Sequence, residues 1–272
     1  MKRSQQHLLI PPLIILIVFF FANCAPRTCP LGATLQGAAP PDGVKQSCKK
    51  SDGALHGQQT HWYRSGKIYQ EVHYKNGLRH GSAKEWYENG NKKFEAVLDH
   101  EKADGIVRAW YENGTPESVV PHVMGKRQGQ ARYWYSNGQM EIECTYLDDK
   151  IHGVLTSWHQ NGQVQTQSEY NHGVQVGKWV KYYPNGNKLE QGQYAESQQI
   201  GPWIQWYESG AKKVNLNYND AGKLDGPYTE WHENGRKKRE GEYRDGLMFG
   251  TWMRWDESGK RIWDDTYDAY GL

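Results

Sequence analysis

Chemistry that depends on one unique constellation has little to work with in this chain. Its four cysteines are Cys24, Cys29, Cys48 and Cys144, and none stands at zinc-ligand spacing from a histidine. No glycine-rich loop has the form of a phosphate cradle, and no serine sits in a nucleophile elbow. The histidines are repeated rather than gathered, since His56, His80 and His152 each precede a glycine of the same kind. Catalysis is therefore not expected, and no metal or cofactor site is assigned. An excess of charge is missing too. Lys and Arg together number 33 against 31 for Asp and Glu, and setting aside Lys2 and Arg3 leaves residues 24–272 formally neutral. That removes the bulk attraction for nucleic acid or an anionic surface. The basic run Arg236-Lys237-Lys238-Arg239 reads as a solvated strand start.

What the chain does have is a period. Aromatic anchors fall at Trp62, Trp86, Trp110, Trp134, Trp158, Tyr182, Trp206, Trp231 and Trp255, at steps of 24 with one of 25. Four residues after each anchor stands a glycine, Gly66 through Gly259, and five before each stands another, Gly57 through Gly250. Two unbroken glycine columns across nine copies make this a repeat array. Too few residues separate the columns for a helix, and they are rich in Trp, Tyr, Thr and Val, so each copy is read as a β-hairpin. Turns such as Tyr-Pro-Asn-Gly at Tyr183 and Tyr-Glu-Ser-Gly at Tyr207 fit a type I turn closed by a glycine bulge, which tolerates Pro and Ser where a type I′ turn would not. The expected fold is all-β, one elongated antiparallel sheet of about 18 strands in sequence order.

With a single bulge, alternation puts the anchor Trp on the same face as positions 6, 8, 10 and 12 after it. Tyr63, Tyr87, Tyr111, Tyr135, Tyr183 and Tyr207, each next to an anchor, would then point away from the Trp column, among Lys and Glu. A ladder of six tyrosines suits a partner-binding surface, because Tyr offers contact area at low entropic cost. The plainer alternative is that these rings shield the sheet's backbone.

Both ends depart from the period. Met1-Lys2-Arg3 precedes an apolar run from Leu8 to Ala22, read as a secretory signal peptide over residues 1–23. The segment Phe21-Ala22-Asn23-Cys24 resembles a bacterial lipobox, which makes Cys24 the lipidation residue and the protein membrane-anchored, at the outer membrane because no Asp follows Cys24. Ordinary cleavage and release is the alternative. Residues 24–41, with their prolines and glycines, read as a tether. Residues 42–56 read as a capping half-repeat, because Cys48 precedes Gly53 by the distance that separates Val72 from Gly77. Residues 57–272 are the nine-repeat array. In an oxidising compartment Cys29 and Cys48 are expected to bridge, while Cys144, alone in a packed column, serves as a small apolar residue. The carboxylates of Trp263-Asp264-Asp265-Thr266-Tyr267-Asp268 give the last repeat a polar edge.

The pattern W-Y-x-x-G, then alternating polar residues, a Tyr and x-x-G at period 24, resembles the MORN-repeat variant family, the YwqK-type antitoxin group, over residues 42–272. The resemblance implies consecutive antiparallel hairpins, no catalytic activity, no cofactor, and binding to proteins or lipids. Its antitoxin label implies that some members neutralise a toxin; an exported member would meet an incoming toxin or an envelope protein. Trp134-Tyr135-Ser136-Asn137-Gly138-Gln139-Met140 also resembles choline- or glucan-binding wall repeats, which makes a glycan the alternative partner, although those repeats are nearer 20 residues.

Overall fold

The computed structural model describes residues 28–268; the leader read over residues 1–23 and the lipidation residue Cys24 lie outside the described residues. The described residues contain strands and no helix. Strands β1 (Ala33–Ala38), β2 (Lys45–Lys50), β3 (Leu55–Trp62) and β4 (Ile68–Lys75) pair antiparallel in that order. The same rule continues to the last strand, Arg261–Tyr267. Of 23 strand segments, the two-residue pieces Lys102–Ala103, Lys126–Arg127 and Lys150–Ile151 each continue in line into the next segment, leaving 20 rows. Eighteen rows come from the nine repeats and two from the N-terminal hairpin. Within the stretch read as a tether, Ala33–Ala38 is instead a strand that pairs along its whole length with Lys45–Lys50. The pairing is held by a disulfide from Cys29 to Cys48, with Cα atoms 5.6 Å apart.

Backbone geometry explains both glycine columns. All eighteen residues have positive φ, between 64° and 115°, where a side chain would be strained. Gly66 closes the turn, donating its N–H to the Tyr63 carbonyl at 3.0 Å, while the Tyr63 N–H reaches the Lys67 carbonyl at 2.9 Å. That is the expected type I turn with a glycine bulge, and it recurs at every hairpin tip.

A second irregularity overturns the expected faces. In all nine hairpins the anchor pairs with the residue six further on, while the residue before the anchor pairs with the one eight further on: Trp62 with Ile68, but His61 with Gln70. The extra residue inverts the alternation. Positions one and three before the anchor therefore share a face with positions 8, 10 and 12 after it, and the anchor stands on the other face. Lys92 shows the consequence: its Nζ lies 5.5 Å over the Trp110 ring and 3.2 Å from Glu95 Oε2, on the charged side.

The core is one line of residues down the middle of a single face. From the N-terminus it runs Ser47, Gln59, Val72, Ala83, Ala96, then Val120, Ala131, Cys144 and Ser168, all buried. Further on it changes from small residues to rings. Trp179, Trp203 and Tyr194 stack at 5.3 to 6.2 Å between centroids, and Tyr228, Tyr243 and Trp252 at 4.9 to 5.7 Å. The rings fit because the facing residues are Gly192 and Gly241, where a Cβ would lie 2.1 and 2.2 Å from the indoles of Trp203 and Trp252. Flanking tyrosines and leucine, such as Leu98 and Tyr146, complete the line.

Candidate interaction surface

The six tyrosines sit on the core face, half-buried rather than free among Lys and Glu. Tyr135 lines a groove of about 360 Å³ with Leu155, Ser168, Tyr170 and Trp179, all residues of that face. Every phenol is engaged. Each donates its hydroxyl to the carbonyl of the next repeat's anchor: Tyr63 to Trp86, Tyr87 to Trp110, Tyr111 to Trp134, Tyr135 to Trp158, Tyr183 to Trp206 and Tyr207 to Trp231, at 2.7 to 2.9 Å. Of the eight repeats that have a successor, two lack this tyrosine. There His159 Nε2 reaches the Tyr182 carbonyl and His232 Nε2 the Trp255 carbonyl, both at 3.0 Å. All eight joints between repeats are thus tied by the same position.

The last repeat has no successor to tie. Its equivalent residue is Asp256, which instead accepts from the backbone of Ser258 and Lys260 within its own turn, at 3.0 Å each. His159 and His232 were not read as members of the column, although their position, one after the anchor, marks them.

Asparagine adds a second row of ties along the same edge. Asn113 Oδ1 accepts from the Thr115 N–H at 3.0 Å within its turn, while its Nδ2 donates to the Ser136 carbonyl of the next turn at 2.8 Å. Asn89, Asn137, Asn161, Asn185 and Asn234 do the same. The turn chemistry that selects Asn for its own bend therefore also couples neighbours.

With hydroxyls committed, what the tyrosines offer outward is ring surface. Burial raises the phenol pKa of Tyr63, Tyr111, Tyr135, Tyr183 and Tyr207 above the ordinary value, so they remain neutral donors. Cations flank the ladder, with Lys93 Nζ 5.8 Å from the Tyr87 ring and Lys213 Nζ 5.5 Å from the Tyr207 ring. A larger groove on this face, about 620 Å³, lies at the C-terminal end between Glu230, Arg239, Arg254, Trp263 and Tyr267. The remaining predicted site residues are Cys29 and Cys48, which are bonded, and Cys144, which is buried as a free thiol whose pKa is pushed up by that burial.

Five stretches match the MORN repeat variant family, residues 55–76, 127–148, 151–172, 175–196 and 224–245, and residues 73–92 match the MORN repeat. Those stretches are MORN repeats. No curated protein matches the chain. MORN repeats form a non-catalytic family whose members commonly mediate protein or membrane-lipid contacts. The first match runs from Leu55, where β3 begins, to Asn76, and the ties from Tyr135 and His159 join the consecutive matches 127–148, 151–172 and 175–196.

Proposed function

We propose that the protein is an envelope-anchored scaffold whose core face, bearing Tyr63, Tyr87, Tyr111, Tyr135, Tyr183 and Tyr207, docks a protein partner. The observation that carries this reading is the continuity of that face. Half-buried aromatic rings recur at every repeat step and open into grooves lined by Tyr and Trp, the side chains most enriched at protein-binding hot spots. The partner is a toxin, in which case the protein acts in immunity, or another envelope protein. Export is supported by the apolar leader and by the Cys29–Cys48 bridge, since disulfides persist outside reducing compartments. Lipid on Cys24 then holds the chain to the outer membrane.

The aromatic grooves also favour a second reading, a glycan stacked on Tyr and Trp. One comparison separates the two. Immobilised protein is incubated in parallel with solubilised envelope proteins and with isolated cell wall or polysaccharide. Retention of a specific envelope protein that is lost in Tyr87→Ser/Tyr111→Ser/Tyr135→Ser supports the scaffold; retention by wall or polysaccharide alone overturns it. For the anchor, Cys24→Ala is expected to move the protein from the membrane to the soluble fraction, and unchanged fractionation contradicts lipidation.

A further inference from the structure

In four of the nine repeats the residue six before the anchor has the same duty. Its side chain accepts the backbone N–H that lies 20 residues on, in the tight turn leading to the next repeat. His56 Nδ1 takes that of Asn76 at 3.3 Å, Asp104 that of Met124 at 3.2 Å, Gln128 that of Asp148 at 3.0 Å and Asp225 that of Asp245 at 3.1 Å. His80 occupies the same position and behaves differently. Its Nδ1 lies 3.0 Å from Asp99 Oδ1, and the same oxygen is 2.6 Å from Nδ1 of His100. Two imidazole nitrogens and one carboxylate oxygen thus lie within 4.8 Å of one another. They come from the start of the strand Leu78–Trp86 and from the turn after Lys92–Asp99.

We infer that His80, Asp99 and His100 form a binding site for one divalent transition-metal ion of the zinc class. Two imidazoles with one carboxylate suit Zn²⁺, Ni²⁺ or Cu²⁺ rather than Ca²⁺ or Mg²⁺, which favour all-oxygen shells. The three atoms are already gathered by the hairpin. Each imidazole would hold its proton on Nε2, present Nδ1 to the ion, and leave the remaining coordination positions to water, since the three side chains are partly exposed at the sheet's edge. The reading of the histidines as dispersed turn residues missed this, because His80 and His100 are 20 positions apart and meet only through the hairpin.

The array contains its own control. Three repeats further on, His152 and His172 reproduce the ring pair, with centroids 4.8 Å apart and planes at 64°, against 5.3 Å and 66° for His80 and His100. The acid is replaced by Asn171, whose Oδ1 is 2.7 Å from His172 Nδ1, and His152 Nδ1 is buried with no hydrogen-bond partner. A neutral carboxamide is a much poorer ligand, so this second place is half of a site.

The test is calorimetric titration of the purified, untagged chain with Zn²⁺, read as stoichiometry and affinity. The parent is expected to bind one tight equivalent. Asp99→Asn should weaken it by roughly tenfold or more while the metal-free melting temperature holds, because losing a first-coordination carboxylate costs at least what outer ligands do. Asn171→Asp should add a second tight equivalent. Identical titrations for parent and Asp99→Asn overturn the site, as does a parent that binds no tight equivalent. No gain in Asn171→Asp overturns the claim that the carboxylate decides. His80→Gln supplies the independent check, since it keeps a hydrogen-bonding side chain but removes a ligand nitrogen.

Discussion

Replacing Tyr111 by Phe removes one hydroxyl and nothing else, and that hydroxyl is the donor to the Trp134 carbonyl at 2.7 Å. A single intramolecular hydrogen bond contributes a net 0.5–1.5 kcal/mol or so, and the joint is only half-buried, so water can partly reclaim the carbonyl; about 1 kcal/mol is expected. Tyr87→Phe and Tyr135→Phe act at neighbouring joints of the same kind. In an array whose stability is a sum over units and interfaces, the triple variant should lose about 3 kcal/mol. For a chain of this size that lowers Tm by roughly 6–12 °C. Thermal and urea denaturation monitored by tryptophan fluorescence read the loss directly. Asp256→Ala serves as the comparison, since Asp256 holds only its own turn. A triple Phe variant as stable as the parent would refute the idea that this column couples the repeats. The Phe series also frees the ring from the hydroxyl, so a partner that still binds it uses the ring face.

Other consequences follow from the same geometry. Gly192→Ala places a Cβ 2.1 Å from the Trp203 indole, so overpacking should cost about 1–3 kcal/mol; Trp203→Leu in the same chain should recover part of it, and a simple sum of the two losses by urea denaturation would contradict the packing. Reducing Cys29–Cys48, which are 19 residues apart, should cost roughly 3 kcal/mol on the chain-entropy model, with hydrogen exchange rising in Ala33–Ala38 and Lys45–Lys50 rather than across the array. The buried tyrosines set an alkaline limit. Burial raises their folded pKa, Tyr228 to about 12, above the unfolded value of about 10. Their contribution is therefore complete below pH about 10 and is lost as pH rises toward the folded value. Phenolate absorbance should appear together with loss of strand circular dichroism; phenolate forming in an intact sheet near pH 10 would contradict it.

The hairpins were legible because glycine is the residue that positive φ selects, and both columns are filled by φ alone. The turn type was legible for the same reason. The faces were not. The second bulge falls on residues such as Tyr69, Lys93 and Gln165, which carry no glycine and no other mark, yet one inserted residue exchanges every side chain between faces. The distance from Cys48 to Gly53 misled, because the longer turn from Lys50 to Ala54 shifts the register by one and sets Ser47, not Cys48, opposite Gln59, and Ala33–Ala38 was hidden by the surrounding prolines and glycines. The tyrosine ladder was visible as a recurrence, but its hydroxyl contacts join residues 23 or 24 apart, a distance that only the stacked hairpins make short. Trp179, opposite Gly192, is the first of the rings for which Gly192 and Gly241 make space.

Thr166 and Gln167 are neighbours in sequence on opposite faces of one strand, Thr166 in the groove beside Tyr135 and Gln167 on the charged side. A photo-crosslinking side chain placed at either position, in the chain in its native cells, therefore reports which face meets the partner. The account predicts a protein adduct from position 166 and none from 167. An adduct from 167 alone, or glycan adducts from 166 in place of protein, would contradict it.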